Sequence, residues 1–202
     1  MPAARAHIDD LPAVTFAKAL TFFWIALVGA VLALWLARPD LFSADAVVVD
    51  LRAFGPWAFA AFVGVSLVRG AILVPSTPVV LAGAVLFPHA PVAVVGVSMA
   101  GILATATLLY RFPGFAGYDV HLAARHPERL ARLHRHLDAP RAQWAVAAWA
   151  FLPVVPTDLV CYAAGLARMP FRRLMTGIVI GELPLVVAYV VLGKSAAAWL
   201  AL

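Results

Sequence analysis

Charge is scarce in this chain: only 12% of its 202 residues are Asp, Glu, Lys or Arg, and there is one cysteine. A soluble domain carries about 25% charged and roughly 45–50% apolar residues, whereas 64% are apolar here. A chain of this length leaves about 30% of its surface exposed on folding, so one small core cannot hide that much apolar surface. Lipid is the implied solvent. Cys161 has no second thiol to pair with, which removes a disulfide scaffold. The composition also excludes a disordered chain and most cytosolic enzyme folds. No P-loop or dinucleotide fingerprint occurs. The basic excess, 15 Lys and Arg against 10 Asp and Glu, is local, and reads as membrane topology and anionic-lipid contact rather than nucleic-acid binding.

What the chain does have is long apolar runs, interrupted by proline at telling places. Residues 16–37 carry one charge, Lys18, and are long enough to cross about 30 Å of hydrocarbon; they exceed the apolar region of a signal peptide and predict a retained helix. Residues 43–53 mix acids with Val and Leu, as an interfacial piece would. Residues 55–70 are apolar except for Arg69, then Pro75 and Pro78 flank Ser76 and Thr77, and 79–87 is apolar up to Pro88. Nine returning residues of helix reach only about half a bilayer, which predicts a re-entrant hairpin whose irregular backbone must be shielded by protein or a watery cavity. Residues 90–110 predict a full-length helix, with Gly96, Ser98, Gly101 and Thr105 as a small-residue packing face.

Residues 111–141 hold six Arg and four His, with Leu130, Leu133 and Leu137 on one face and Arg129, Arg132 and Arg135 elsewhere. This predicts an amphipathic helix on a membrane surface, its arginines in contact with anionic lipid. Residues 144–152 are apolar, Pro153 and Pro156 bracket a second break, and residues 158–169 return to Pro170. A last span, 174–193, contains Glu182 and Pro184. The two broken regions look like copies: Ala82, Gly83 and Pro88 match Ala164, Gly165 and Pro170 at an offset of 82, while Pro75, Ser76 and Thr77 match Pro156, Thr157 and Asp158 at 81. A broken hairpin plus one full helix crosses an odd number of times, so the second copy is expected to be inverted.

The expected organisation is therefore all-α: an N-terminal transmembrane helix and interfacial segment (1–54), and two repeats (55–110 and 142–193) joined by the basic linker 111–141 into one domain, 55–193. A tail, 194–202, follows. A cytoplasmic N-terminus places eleven Lys and Arg inside and three outside, with Arg69 in the membrane, the orientation that the positive-inside rule selects. A multi-pass protein of an inner (plasma) membrane is the expectation.

Three ionisable residues fall at predicted membrane depth: Arg69, Asp158 and Glu182. A charge at the bilayer centre costs at least about 2.5–3.5 kcal/mol, so such groups usually face a cavity and one another. The plain alternatives are a snorkelling Arg69, an Asp158 that only caps its half-helix, and a Glu182 that merely pairs with Arg69. In transporters with broken helices, substrates sit near the midplane and half-helix N-termini offer N–H groups to anions. Arg69, Ser76, Thr77 and Thr157 are accordingly the candidate substrate-binding residues. Carboxyls kept from water can exchange protons near neutral pH, making Asp158 and Glu182 the candidate proton-coupling pair. Pro75, Pro78, Gly83, Pro153, Pro156 and Gly165 are the candidate loop-shaping residues.

Other signals are weaker. His121, His126, His134 and His136 match no zinc spacing, so no metal or other cofactor is expected. Gly96-Val97-Ser98 has no partner base at membrane depth and reads as helix packing. The six tryptophans mostly fall near predicted helix ends, as interfacial anchors do.

The second unit, Phe151-Leu-Pro-Val-Val-Pro-Thr-Asp158 with Ala163-Ala-Gly165-Leu, Met169-Pro-Phe-Arg172, Gly177, Gly181, Pro184, Tyr189 and Gly193, resembles the VTT domain of the DedA superfamily, in its SNARE-associated Golgi-type branch. Pro75-Ser-Thr-Pro78 with Ala82-Gly83 and Phe87 is similar to that family's first loop, so the likeness covers about residues 55–193. It implies a polytopic membrane protein with two facing re-entrant hairpins and a role in lipid transport: return of undecaprenyl phosphate across the membrane, with proton dependence, or phospholipid scrambling. The chain departs from the family pattern at Ala150, where many members carry Arg, and at the first loop, where Ser76 and Thr77 stand without the usual acid. Arg69 supplies the available positive charge there, and Asp158 or Glu182 the acid.

The leading expectation is a non-enzymatic, flippase-like transporter of an anionic lipid or polyprenyl-phosphate headgroup, coupled to protons, with membrane lipids as partners and homo-oligomeric assembly left open. A scramblase, or a membrane scaffold that recruits partners through the Arg-rich helix, is the alternative.

Overall fold

The structure, a computed structural model, describes residues 12–72, 74–115, 141–152 and 157–200, together with Glu128, Ala131, His134, Arg135, Leu137 and Ala139. All regular structure among them is helical. Helix α1 (Pro12–Ala37) has 26 residues, about 39 Å, as its apolar run predicts. It ends where Pro39 begins a short 3-10 turn, Pro39–Phe42. Arg38 grips Asp40 with two hydrogen bonds, 3.1 and 2.9 Å, and the guanidinium holds that carboxyl below the usual carboxylate range. The pair is exposed, so it shapes the turn and adds little stability.

Helix α2 (Ala44–Arg52) starts at Ser43, whose Oγ accepts from the Ala46 N–H at 3.2 Å, a helix cap. Val48 and Leu51 are its buried face, and it packs against α4. The mixed acids and valines of 43–53 thus mark an amphipathic helix with one side docked. Gly55, at φ +53°, takes a left-handed conformation that suits glycine and opens a 3-10 turn, Gly55–Trp57. Helix α3 (Ala58–Val68) then leads into the 3-10 turn Arg69–Ile72, and Pro75, which cannot continue a helix, precedes α4 (Ser76–Leu86). Helix α5 (Pro91–Phe115) starts with proline at its first position, where the missing N–H costs nothing, and runs five residues past the expected 110, carrying Pro113 in its last turn. Residues 111–115 therefore belong to a long helix rather than to the basic linker.

The second half repeats the succession: α6 (Ala142–Ala150), a break, α7 (Thr157–Leu166), then α8 (Phe171–Leu200). Among the described residues, leaving aside α1, whose first half is not described at the side-chain level, three segments are long and apolar enough to cross a membrane: Gly55–Ile72, Pro91–Phe115 and Phe171–Gly193. The short helices, α4 with 11 residues and α7 with 10, reach roughly 15–16 Å. Each short helix packs against the long helix of the other half, α4 on α8 and α7 on α5, while α3 packs on α5 and α6 on α8.

Close approach at glycines makes this packing possible. A Cβ at Gly83 would lie 2.6 Å from the Phe62 ring, and one at Gly165 would meet the Tyr110 carbonyl oxygen. Phe62, fully buried, stacks with Phe59 and Phe87 at ring separations of 6.1 and 5.8 Å. Tyr110 donates to the Met169 carbonyl at 2.6 Å, tying α5 to the turn after α7. On α5, Ser98, Gly101 and Thr105 are buried as expected, but Gly96 is exposed with nothing within 4 Å. The first three follow the 3–4 residue spacing of one helical face; two residues before Ser98 the helix has turned about 200°, onto the opposite face.

Candidate functional site

Between the two halves lies a cavity of about 440 Å³. Arg69 reaches it from the turn after α3. Its backbone and side chain clasp the first break: the Val74 N–H donates to the Arg69 carbonyl and Arg69 Nη1 donates to the Val74 carbonyl, each at 3.1 Å. Gly70 beside it sits so close to α5 that a Cβ would overlap the Thr105 side chain, and Thr105 is held by its own bond to the Gly101 carbonyl at 2.9 Å. The position of Arg69 is thus set by a glycine pressed on α5. Sequence reasoning passed over Gly70, because its neighbour Thr105 is visible only in three dimensions.

Pro75, Ser76 and Thr77 bring the start of α4 to the same cavity, and Thr157, Asp158 and Cys161 bring the start of α7. Glu182 enters from the middle of α8. All six residues expected to bind substrate or carry protons therefore line one space: Arg69, Ser76, Thr77, Thr157, Asp158 and Glu182. Arg69 is 6% exposed and Glu182 8%, which rules out a snorkelling Arg69 whose head sits in bulk water. The Thr157 hydroxyl donates to Glu182 Oε1 at 2.6 Å. Among the described residues no carboxylate comes within ion-pairing distance of the Arg69 guanidinium, so Glu182 is not its direct partner. Arg69, Asp158 and Glu182 still act on each other electrostatically across the gap. A guanidinium has five N–H donors in a fork that matches phosphate or carboxylate. With one spent on Val74, Arg69 retains donors for an oxyanion.

Apart from Tyr189, the rest of the lining is apolar. Val28, Val31, Leu32 and Trp35 of α1 form one wall, opposite Ile102 and Ala106 of α5. That wall was not legible beforehand, since nothing in an apolar span says which face meets a cavity. Ala150 also lines the space, and Arg69 is the one cationic side chain among the described lining residues. Of the loop-shaping residues, Pro75, Pro78, Gly83 and Gly165 stand in or beside the two short helices, while Pro153 and Pro156 lie outside the described residues. Arg135 is exposed on a helical residue; Arg129 and Arg132, with His121, His126 and His136, lie outside the described residues.

Fold and cavity together define an all-α membrane protein whose buried charges converge on one internal space. Residues 74–195, more than half of the chain, match the family model for the VTT domain, and the chain belongs to that family, within the DedA superfamily its loop motifs resemble. The match takes in Ser76, Thr77, Thr157, Asp158 and Glu182 and begins after Arg69. Comparison with curated proteins and with solved structures finds no match.

Proposed function

We propose that the protein is a proton-coupled, flippase-like transporter that moves an amphiphile with an anionic headgroup, an anionic lipid or a polyprenyl phosphate, through this cavity. The carrying observation is the convergence of Arg69, Asp158 and Glu182 with four hydroxyl side chains, Ser76, Thr77, Thr157 and Tyr189, on a single, largely apolar space. Arg69 holds the phosphate, with Ser76 and Thr77 beside it, and the α1 wall accommodates the adjoining hydrocarbon. A bound anion next to two carboxyls is repelled unless one of them takes up a proton, so each headgroup travels with a proton. No chemical step on the ligand is needed, and no cofactor.

In this reading the two broken segments are re-entrant hairpins of an inverted repeat, dipping in from opposite leaflets of an inner membrane, with the N-terminus cytoplasmic. The reciprocal packing of α4 on α8 and α7 on α5 supports it, as do half-bilayer helix lengths at both breaks.

The test is flux in proteoliposomes after a pH jump, comparing polyprenyl phosphate with a glycerophospholipid. Glu182→Gln removes the pH dependence while the protein stays folded. Arg69→Ala loses a charge-assisted bond of about 1.5–3 kcal/mol, a roughly 10- to 100-fold weaker headgroup affinity. Undiminished affinity in Arg69→Ala together with normal proton coupling in Glu182→Gln would refute the reading.

A further inference from the structure

The first break is closed on itself, Arg69 to Val74 in both directions. At the second, the first residue of α7 is tied to another element, by the Thr157 hydroxyl bond to Glu182 on α8. Thr157 therefore spends its donor on a carboxylate rather than offering it to a ligand. Hydroxyl bonds to ionised carboxylates are about twice as strong as neutral ones.

We propose that this bond is a latch: Thr157 is a positioning residue that holds the start of α7 against α8 while Glu182 is ionised, and protonation of Glu182 loosens it. The inference rests on the proton-coupled reading above and gives it a moving part. Little else ties the start of α7 to α8, since α7 packs chiefly on α5 and only slightly on α8 and α6. The groups that face Glu182 across the cavity are Asp158 and Cys161 on α7, Arg69 on the turn after α3, and Tyr189 on α8 itself; the lining residues of α1, α4, α5 and α6 carry no titratable side chain. Among the described residues Asp158 has no hydrogen-bond partner, so it remains the carboxyl free to meet the ligand while Glu182 is engaged.

The chain contains its own reporter. Cys161, the only cysteine, is buried, lines the cavity and lies one turn beyond Thr157 on α7. Its rate of modification by a small methanethiosulfonate reads the seating of α7 without any transport measurement. At pH 8, Thr157→Val and Thr157→Ala should each react at least several-fold faster than the unaltered protein, while Thr157→Ser, which keeps the hydroxyl, reacts at the original rate. The Thr157 variants leave every charge around Cys161 in place, so the ratio of variant to unaltered protein at each pH cancels the thiol's own ionisation; Glu182→Gln is left out because Glu182 itself acts on that thiol. Those ratios fall towards one by pH 5, where the unaltered protein unlatches. A ratio of one throughout, or one that is raised but indifferent to pH, overturns the latch. Should Thr157→Val fail to fold, the Thr157→Ala ratio decides alone. If the ratios are indifferent to pH while flux stays proton-coupled, only the latch fails. If the ratios converge while no flux occurs, the latch stands and the transport reading fails.

Discussion

At position 70 the turn after α3 lies so near α5 that an added methyl would overlap the Thr105 side chain. Overpacking of this kind costs about 1–3 kcal/mol, and relief requires the turn to move, taking Arg69 with it. Gly70→Ala is therefore expected to lower the unfolding midpoint in detergent and to weaken headgroup binding together, and the added Thr105→Gly change to restore part of both. Normal binding in Gly70→Ala would show that Arg69 is placed independently of α5. Arg69 and Glu182 were legible as sequence, because a charge within an apolar run has few places to go. Gly70 was not, since a glycine beside a helix break looks the same whether or not another helix presses on it.

Between elements, the Tyr110 hydroxyl joins the end of α5 to the Met169 carbonyl. Tyr110→Phe keeps the ring and its packing on Phe171, 5.2 Å between centroids, but removes the bond, a loss of about 0.5–1.5 kcal/mol. The measurable outcome is a modest fall in the unfolding midpoint with helix content unchanged; an unaltered midpoint would mean that glycine packing alone holds α7 to α5. The element pattern itself followed from proline positions, since Pro75, Pro91 and Pro170 begin or precede helices as their fixed φ and missing N–H require. The change of composition at Arg111 misled the end of α5: Pro113, so near a terminus, disturbs little of the helix, and the chain continues past the expected 110 to Phe115. Gly96 misled the packing face because composition counts small residues without respecting their angular position.

For the whole molecule, the inverted arrangement proposed above makes one demand that local structure cannot satisfy by accident. The turn after α4, at His89, and the turn after α7, at Arg168, must lie on opposite sides of the membrane, the first outside and the second inside. Single cysteines replacing His89 or Arg168 in a Cys161→Ala background, treated in intact cells with an impermeant maleimide, should label at 89 and be protected at 168. Labelling of both from the same side would abolish the two-hairpin topology and with it the shared route.

Composition and periodicity along the chain were enough to establish the solvent, the long helices, the two proline breaks and the identity of the charged residues in apolar surroundings. Each of these depends on neighbours in sequence. The tertiary structure alone decided that Arg69, Ser76, Thr77, Thr157, Asp158 and Glu182 share one cavity, that the Thr157 hydroxyl is given to Glu182, and that α1 supplies the apolar wall. Those outcomes depend on how closely helices from distant parts of the chain approach. That distance is set by the absence of a side chain at Gly70, Gly83 and Gly165 and by what happens to stand opposite, which a linear pattern of apolar and polar residues does not encode.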